Sequence, residues 1–155
     1  MSRGESTLKS PEVQAQWFKR VREAHSDETA EDYVELIADL IEVNQEARAS
    51  DLASRFGVSH ATVCKVVQRL KEEGYVDAQP YRALFLTKKG AILAKKSKAR
   101  HRLIVDFLTT LGVSASTAEH DAEGIEHHVS LETLNIFREF VLEAQAPENK
   151  ARRSQ

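Results

Sequence analysis

The sequence predicts a mainly α protein: an amino-terminal winged helix-turn-helix domain followed by an all-helical lobe. Apolar residues recur at helical spacing along most of the chain. Two short helical stretches, Ser50–Phe56 and Ser59–Leu70, are separated by a glycine turn at helix-turn-helix spacing. Two short runs of β-forming residues follow directly and read as one hairpin.

Residues 1–26 read as an extension with a helical segment, because Ser2, Ser6, Ser10 and Pro11 precede an amphipathic stretch bearing Trp17, Phe18 and Val21. Tyr33, Val34, Leu36, Ile37, Leu40 and Ile41 then mark an amphipathic helix over about 27–44, with Ser26 or Asp27 as its N-cap. Ser50 opens the next helix and Gly57 ends it, since a residue without Cβ accepts the positive φ of a helix terminus. Ser59 caps the second helix, which carries Val63, Val66, Val67 and Leu70 up to Gly74. Tyr75–Ala78 and Ala83–Thr87, joined by Gln79–Arg82, form the expected wing. Lys88 to about Leu111 reads as a long joining helix, basic in its first half and apolar in its second. Gly112–Ser114 stops it, a short helix follows over Ala115–His120, and a last one carries Leu131, Leu134, Phe137 and Val141 before Pro147. The expected organisation is an extension over 1–26, a winged helix-turn-helix domain over 27–95, a helical lobe over 96–145 and a flexible tail over 146–155. A lobe of that length buries its apolar faces better against a second copy than alone, so a homodimer is expected.

The formal net charge of -2 conceals a segregation. Asp27, Glu28, Glu31, Asp32, Glu35, Asp39, Glu42 and Glu46 are unrelieved by any Lys or Arg, whereas basic residues dominate from Arg48 to Arg102. The basic stretch contains the helix-turn-helix and is the candidate nucleic-acid face. Duplex DNA would be read by the first turns of the second helix, with Ser59, His60, Thr62 and Lys65 at base edges, Arg69 at phosphate, and Arg82 at the wing tip. The bland alternative is a protein-interaction module on the same fold. No apolar run approaches a membrane span, the amino terminus lacks a signal-peptide pattern, and Cys64 has no cysteine partner, so a cytoplasmic protein is expected. Cys64 itself reads as an ordinary small residue.

Two further groups carry chemistry. Asp32 and Glu35 lie about 60° apart on one helical face at 100° per residue, which in isolation reads as a solvated acidic surface. Glu123, Glu126 and His127 share a face as i, i+3 and i+4, with no Lys or Arg nearby in sequence. Two carboxylates and an imidazole suit a divalent cation better than an ion-paired surface. Gly124 inside that turn suggests a close backbone approach or a sharp helix start. His101 lies between Arg100 and Arg102 and reads on its own as a surface residue, as do His25, His60 and His120. His128 could orient His127. The chain has no H-E-x-x-H, phosphate-binding glycine loop or G-x-S-x-G, which weighs against a metal-dependent hydrolase or any other enzyme, and no small organic substrate is expected.

Taken together, Glu31-Asp32-Tyr33-Val34-Glu35, the helix-turn-helix, Tyr81-Arg82-Ala83-Leu84-Phe85-Leu86-Thr87, Arg100-His101, Leu111-Gly112-Val113 and Glu123-Gly124-Ile125-Glu126-His127-His128 resemble the manganese-sensing branch of the diphtheria-toxin-repressor-like family. The resemblance runs in order through about residues 27–145 and implies a manganese-responsive repressor of manganese-transport genes that binds operator DNA as a metal-loaded homodimer. It implies that the second lobe is the metal-binding and dimerisation domain. It places metal ligands at Asp32, Glu35, His101, Glu123, Glu126 and His127, and thereby promotes His101 from surface residue to ligand. Mn²⁺ is the implied cofactor, with Fe²⁺ and other divalent metals as alternatives; an iron-responsive or metal-independent winged-helix regulator is the rival reading. The iron-sensing branch has sulfur-bearing ligands where Asp32 and Glu123 stand, and an added SH3-like domain. Ala83 and His60 depart from the family's usual wing and recognition-helix residues.

Overall fold

The computed structural model describes residues 8–78 and 83–146. The helices α1 (Pro11–Asn44), α2 (Ala49–Phe56) and α3 (His60–Glu72) precede strands β1 (Val76–Ala78) and β2 (Leu84–Leu86), and α4 (Lys88–Thr110), α5 (Ala115–Ile125) and α6 (Leu131–Gln145) complete the described chain. The strands pair antiparallel, with Val76 opposite Leu86 and Ala78 opposite Leu84. The tip between them, including Arg82, lies outside the described residues, as does the tail after Ala146.

The expected accessory helix and first core helix are one element. Ser10 caps α1 by accepting from Val13 N, and nothing interrupts the 34 residues that follow, so neither Ser26 nor Asp27 is a cap. No Gly or Pro lies between Glu12 and Asn44 to break the helix. The divisions expected at 26/27 and 95/96 therefore both fall inside continuous helices, α1 and α4. Two smaller differences concern helix ends. Arg48, not Ser50, is the N-cap of α2 and makes no side-chain cap bond; its extended backbone follows from Ala47, whose carbonyl accepts from Leu84 N at 2.7 Å and so ties the α1–α2 link to the wing. Helix α5 reaches Ile125, beyond the expected His120.

The helix-turn-helix forms for the expected reasons. Gly57 ends α2 at φ +65°, a conformation glycine adopts without Cβ strain. Ser59 caps α3 in extended conformation, accepting from Thr62 N. The inner face of α3, Val63, Val67 and Leu70, packs with Ala30, Tyr33, Ile37 and Leu40 of α1, Leu52 of α2 and Val76 and Leu84 of the wing. Tyr33 stacks on Phe56 at 4.5 Å between ring centroids. A smaller second core joins Ile104 of α4, Ala122 of α5 and Leu134 of α6, with Phe107 stacked on Phe137 at 3.8 Å. Helix α4 contributes to both regions, and α1 packs along it.

The start of α4 is locked to the end of α3. Thr87 Oγ1 donates to Gly74 O at 2.6 Å, and Lys89 Nζ donates to Glu73 O at 2.7 Å while lying 4.1 Å from the Tyr75 ring centroid. Gly90 is required here because a Cβ at that position would meet Tyr75 O at 2.0 Å. Gly90→Ala should therefore destabilise the protein by about 1–3 kcal/mol through overpacking, measured as a lowered urea midpoint; an unchanged midpoint would show that the two helices separate freely.

Candidate metal centre

The third turn before the end of α1, the middle of α4 and the end of α5 meet beside the second core. Each brings charged donors. Glu31, Asp32 and Glu35 come from α1, Arg100 and His101 from α4, Glu119 and Glu123 from α5, and Glu126 and His127 from the turn that follows. Glu126 is the pivot: its side chain is only 3% exposed, yet it receives both imidazoles. Oε2 lies 2.7 Å from His101 Nδ1 and Oε1 lies 3.2 Å from His127 Nε2. The same His127 nitrogen is 3.4 Å from Asp32 Oδ1, and His101 Nδ1 is 3.7 Å from Glu123 Oε1. Glu35 Oε1 is buried and finds no donor. Its proximity to the others is electrostatic as well as spatial: burial raises the Glu35 pKa, the nearby Ser97 hydroxyl opposes that rise without cancelling it, and the charges of Glu126, Asp32 and Glu123 push it up further. Glu123 is raised too, first by burial and then by Glu126. All six donors anticipated from the sequence are thus brought to one place.

Each imidazole turns one nitrogen toward this group and gives the other to an outer carboxylate. His127 Nδ1 lies 2.8 Å from Glu31 Oε2, and Glu31 Oε1 is held by Arg100 at 2.5 Å. His101 Nε2 lies 2.8 Å from Glu119 Oε2. A carboxylate on the far nitrogen fixes ring orientation and raises ligand basicity. Glu31, Arg100 and Glu119 are the functional residues that spacing could not find, because their partners lie on other helices. Glu31 and Arg100 do sit directly beside Asp32 and His101 in the quoted motifs. The orienting partner of His127 is Glu31 and not His128, whose ring instead meets His25 edge-on at 5.4 Å. Gly124 has open space around its would-be Cβ, and it serves neither a close approach nor a helix start; it sits in the last turn of α5.

The donor set is oxygen and imidazole, with a buried unpartnered carboxylate oxygen and repelling carboxylates, which fits a divalent cation of the Mn²⁺ or Fe²⁺ type. The only cysteine lies on α3, exposed, with its Sγ 3.4 Å from His60 Nδ1, and takes no part.

The second constellation, on α3, is also placed. His60, Thr62 and Lys65 are exposed on its first turns. Ser59 Oγ is engaged in the cap and lies 2.8 Å from Thr62 Oγ1. Arg69 is half-buried: Nε and Nη2 are shielded from solvent, and Nε lies 3.6 Å from Glu73 Oε1. Several basic residues counted toward the nucleic-acid face have internal work. Lys71 donates to Ala78 O, Lys89 to Glu73 O, Lys98 pairs with Asp39, and Arg100 pairs with Glu31.

A winged helix carrying an exposed recognition helix, joined through a carboxylate–imidazole centre to a second helical lobe, defines a metal-binding, DNA-binding regulator. The chain matches the family models "Iron dependent repressor, N-terminal DNA binding domain" over residues 26–84 and "Iron dependent repressor, metal binding and dimerisation domain" over residues 87–148. It belongs to the iron-dependent repressor family, the diphtheria-toxin-repressor-like regulators of the resemblance above. It is 50% identical over 133 residues, 86% of each chain, to the transcriptional regulator MntR of Escherichia coli O157:H7. Among solved structures it is similar to the manganese regulator SloR, at 33% identity and TM-score 0.63, covering 72% of this chain and 53% of that one. A manganese-dependent transcriptional repressor in complex with manganese matches at 32% identity and TM-score 0.65, covering 72% and 52%. The chain thus spans about half the length of these solved chains. No described helix is long and apolar enough to cross a membrane.

Without metal, protons supply the positive charge. Burial alone would lower the His127 pKa, but the hydrogen bonds to Asp32, Glu126 and Glu31 outweigh it and push the imidazole up to about 12. For His101 burial is likewise outweighed, by Glu119 and Glu126, and the pKa is raised. A group raised on folding stabilises fully below its unfolded pKa, about 6.5 for histidine, and loses that contribution as pH climbs through the folded value. The chelated protein should therefore melt at progressively lower temperature as pH rises above about 6.5. Calorimetry across that range checks this, and His127→Gln should flatten the dependence.

Proposed function

We propose that this chain is a manganese-responsive transcriptional repressor that binds operator DNA as a metal-loaded homodimer and controls manganese-transport genes. The observation that carries the reading is the convergence of Asp32 and Glu35, on the helix that also packs under α3, with His101, Glu123, Glu126 and His127 of the second lobe. An oxygen-rich set with two imidazoles supports Mn²⁺, and Fe²⁺ is the alternative; because Mn²⁺ binds weakest in the first-row divalent series, selectivity must come from geometry and ligand number. Similarity to proteins described as manganese regulators supports the same choice.

The residues divide the work. Asp32, Glu35, His101, Glu123, Glu126 and His127 hold the metal, while Glu31 and Glu119 orient the two imidazoles. A bound divalent cation would supply positive charge to the carboxylates in place of the protons that His101 and His127 carry without it. With their repulsion neutralised, Asp32 and Glu35 bind α1 to the second lobe and fix where α3 stands in the dimer, with the paired recognition helices roughly 34–36 Å apart. Moving a mostly incompetent population to a mostly competent one needs about 5.5 kcal/mol of differential binding. His60, Thr62 and Lys65 reach base edges, Ser59 orders the helix start beside them, and Arg69 and Arg82 serve phosphate. The winged domain spans 27–95 and the metal-binding and dimerisation domain 96–145. Exposed Leu131, Ile136 and Leu142 of α6 offer apolar surface for a second copy to cover. The protein acts in the cytoplasm on duplex DNA, with no catalytic residue, no small organic substrate and no membrane partner.

Fluorescence anisotropy on the chain's own upstream DNA at fixed salt tests this. Binding should be tight with Mn²⁺ and weak in chelator, and Asp32→Ala should lose affinity by about tenfold or more, equivalent to about 1.4 kcal/mol, while keeping its helical circular dichroism. Equal binding in chelator would reduce the centre to a structural role.

A further inference from the structure

Among the described residues, one group of metal-ligating side chains sits at the edge of the centre just described, sharing with it only the neighbourhood of Glu28, which also lies within 4.8 Å of donor atoms of Asp32 and His127. His25 and Glu28 of α1 and His128, in the turn after α5, each place a donor atom within 4.8 Å of the others. His25 Nδ1 is 3.0 Å from Glu28 Oε2, and the His25 and His128 rings meet edge-on. His128 is held in position by its backbone, N donating to Ile125 O at 3.0 Å. We propose that His25, Glu28 and His128 form a peripheral site for a Zn²⁺-class cation beside the centre, one that clamps the amino-terminal half of α1 to the turn carrying His127 and His128.

Three observations converge on it. At 100° per residue, His25, Glu28, Asp32 and Glu35 fall within about 80° of one another on α1, so the two new donors extend the row of central donors toward the amino terminus. The chemistry differs along that row. Two imidazoles and a single carboxylate are a borderline set that favours Zn²⁺ over Mn²⁺, whereas the centre is oxygen-rich. The geometry is close to closed: bonds of about 2.0–2.1 Å in a tetrahedron put ligand atoms roughly 3.3 Å apart, which modest rotation of side chains already within 4.8 Å can reach. His25 also precedes the family match, which begins at residue 26, so the site ties the family's fold to the part of α1 that lies before it.

The test counts metal. The full-length wild type, His25→Ala and His128→Ala are dialysed against excess Zn²⁺ and the metal bound per protomer is measured, with Co²⁺ absorption as a second reading of imidazole ligation. Each variant should bind one fewer Zn²⁺ per protomer and lose one Co²⁺ component. Mn²⁺-dependent operator binding should change by less than about twofold, a difference near 0.4 kcal/mol, because neither residue belongs to the centre. Unchanged Zn²⁺ counts and Co²⁺ spectra in both folded variants would overturn the site. If operator binding proves indifferent to Mn²⁺ while the Zn²⁺ count still falls, the manganese reading fails and the peripheral site stands.

Discussion

Charge repulsion at the junction of α1, α4 and α5 is the constraint on which the rest depends. Asp32, Glu35, Glu123 and Glu126 come together where solvent is partly excluded, and Glu126 is almost wholly buried. Ionised carboxylates held that close cannot remain without positive charge among them. The chain provides a fixed charge in Arg100, already engaged by Glu31, and His101 and His127 lie among the carboxylates ready to take protons. The remainder has to come from protons or from a cation, and that shortage couples the fold to what it binds.

The two lobes answer to this constraint differently. The winged lobe has a continuous apolar core from α1 to the wing. The second lobe has a smaller set of buried apolar residues, Ile104, Ala118, Ala122, Leu134 and Val141, supplemented by partly buried aromatics. Its attachment to α1 draws on Glu31 with Arg100, Lys98 with Asp39, and the imidazole contacts. Ionic contacts of this kind respond to pH and metal in a way that apolar packing does not.

Much of this was legible in the sequence, for local reasons. Gly57, the Ser59 cap and the apolar rows of α1 and α3 act over a few residues, so spacing alone located the helix-turn-helix and the hairpin. Glu123, Glu126 and His127 were legible because one helical turn gathers them. His101 was not, since its partners lie 18 to 25 residues away; only resemblance singled it out. Glu31 was overlooked because its contact with His127 spans 96 residues. Charge counting misled in a different way: Lys71, Lys89, Lys98 and Arg100 add to the basic count of the stretch read as a nucleic-acid face, yet each engages a carbonyl or carboxylate of its own chain. The helix boundary at Ser26 failed because a good capping residue is also tolerated inside a helix when no breaker stands beside it.

The rigid seat of Gly90 against Tyr75 bears on how the molecule could have diverged. From Gly90 to His101 is 11 residues of unbroken helix, close to three whole turns, so both residues point to nearly the same side of the rod, about 20° apart. The seat of the recognition helix and the imidazole at the centre are thereby in angular phase. One residue inserted or deleted between them would swing His101 by about 100° and carry it about 1.5 Å along the axis, out of reach of Glu126. The interval between the two positions is then a ruler, and its length is fixed by the two ends it connects.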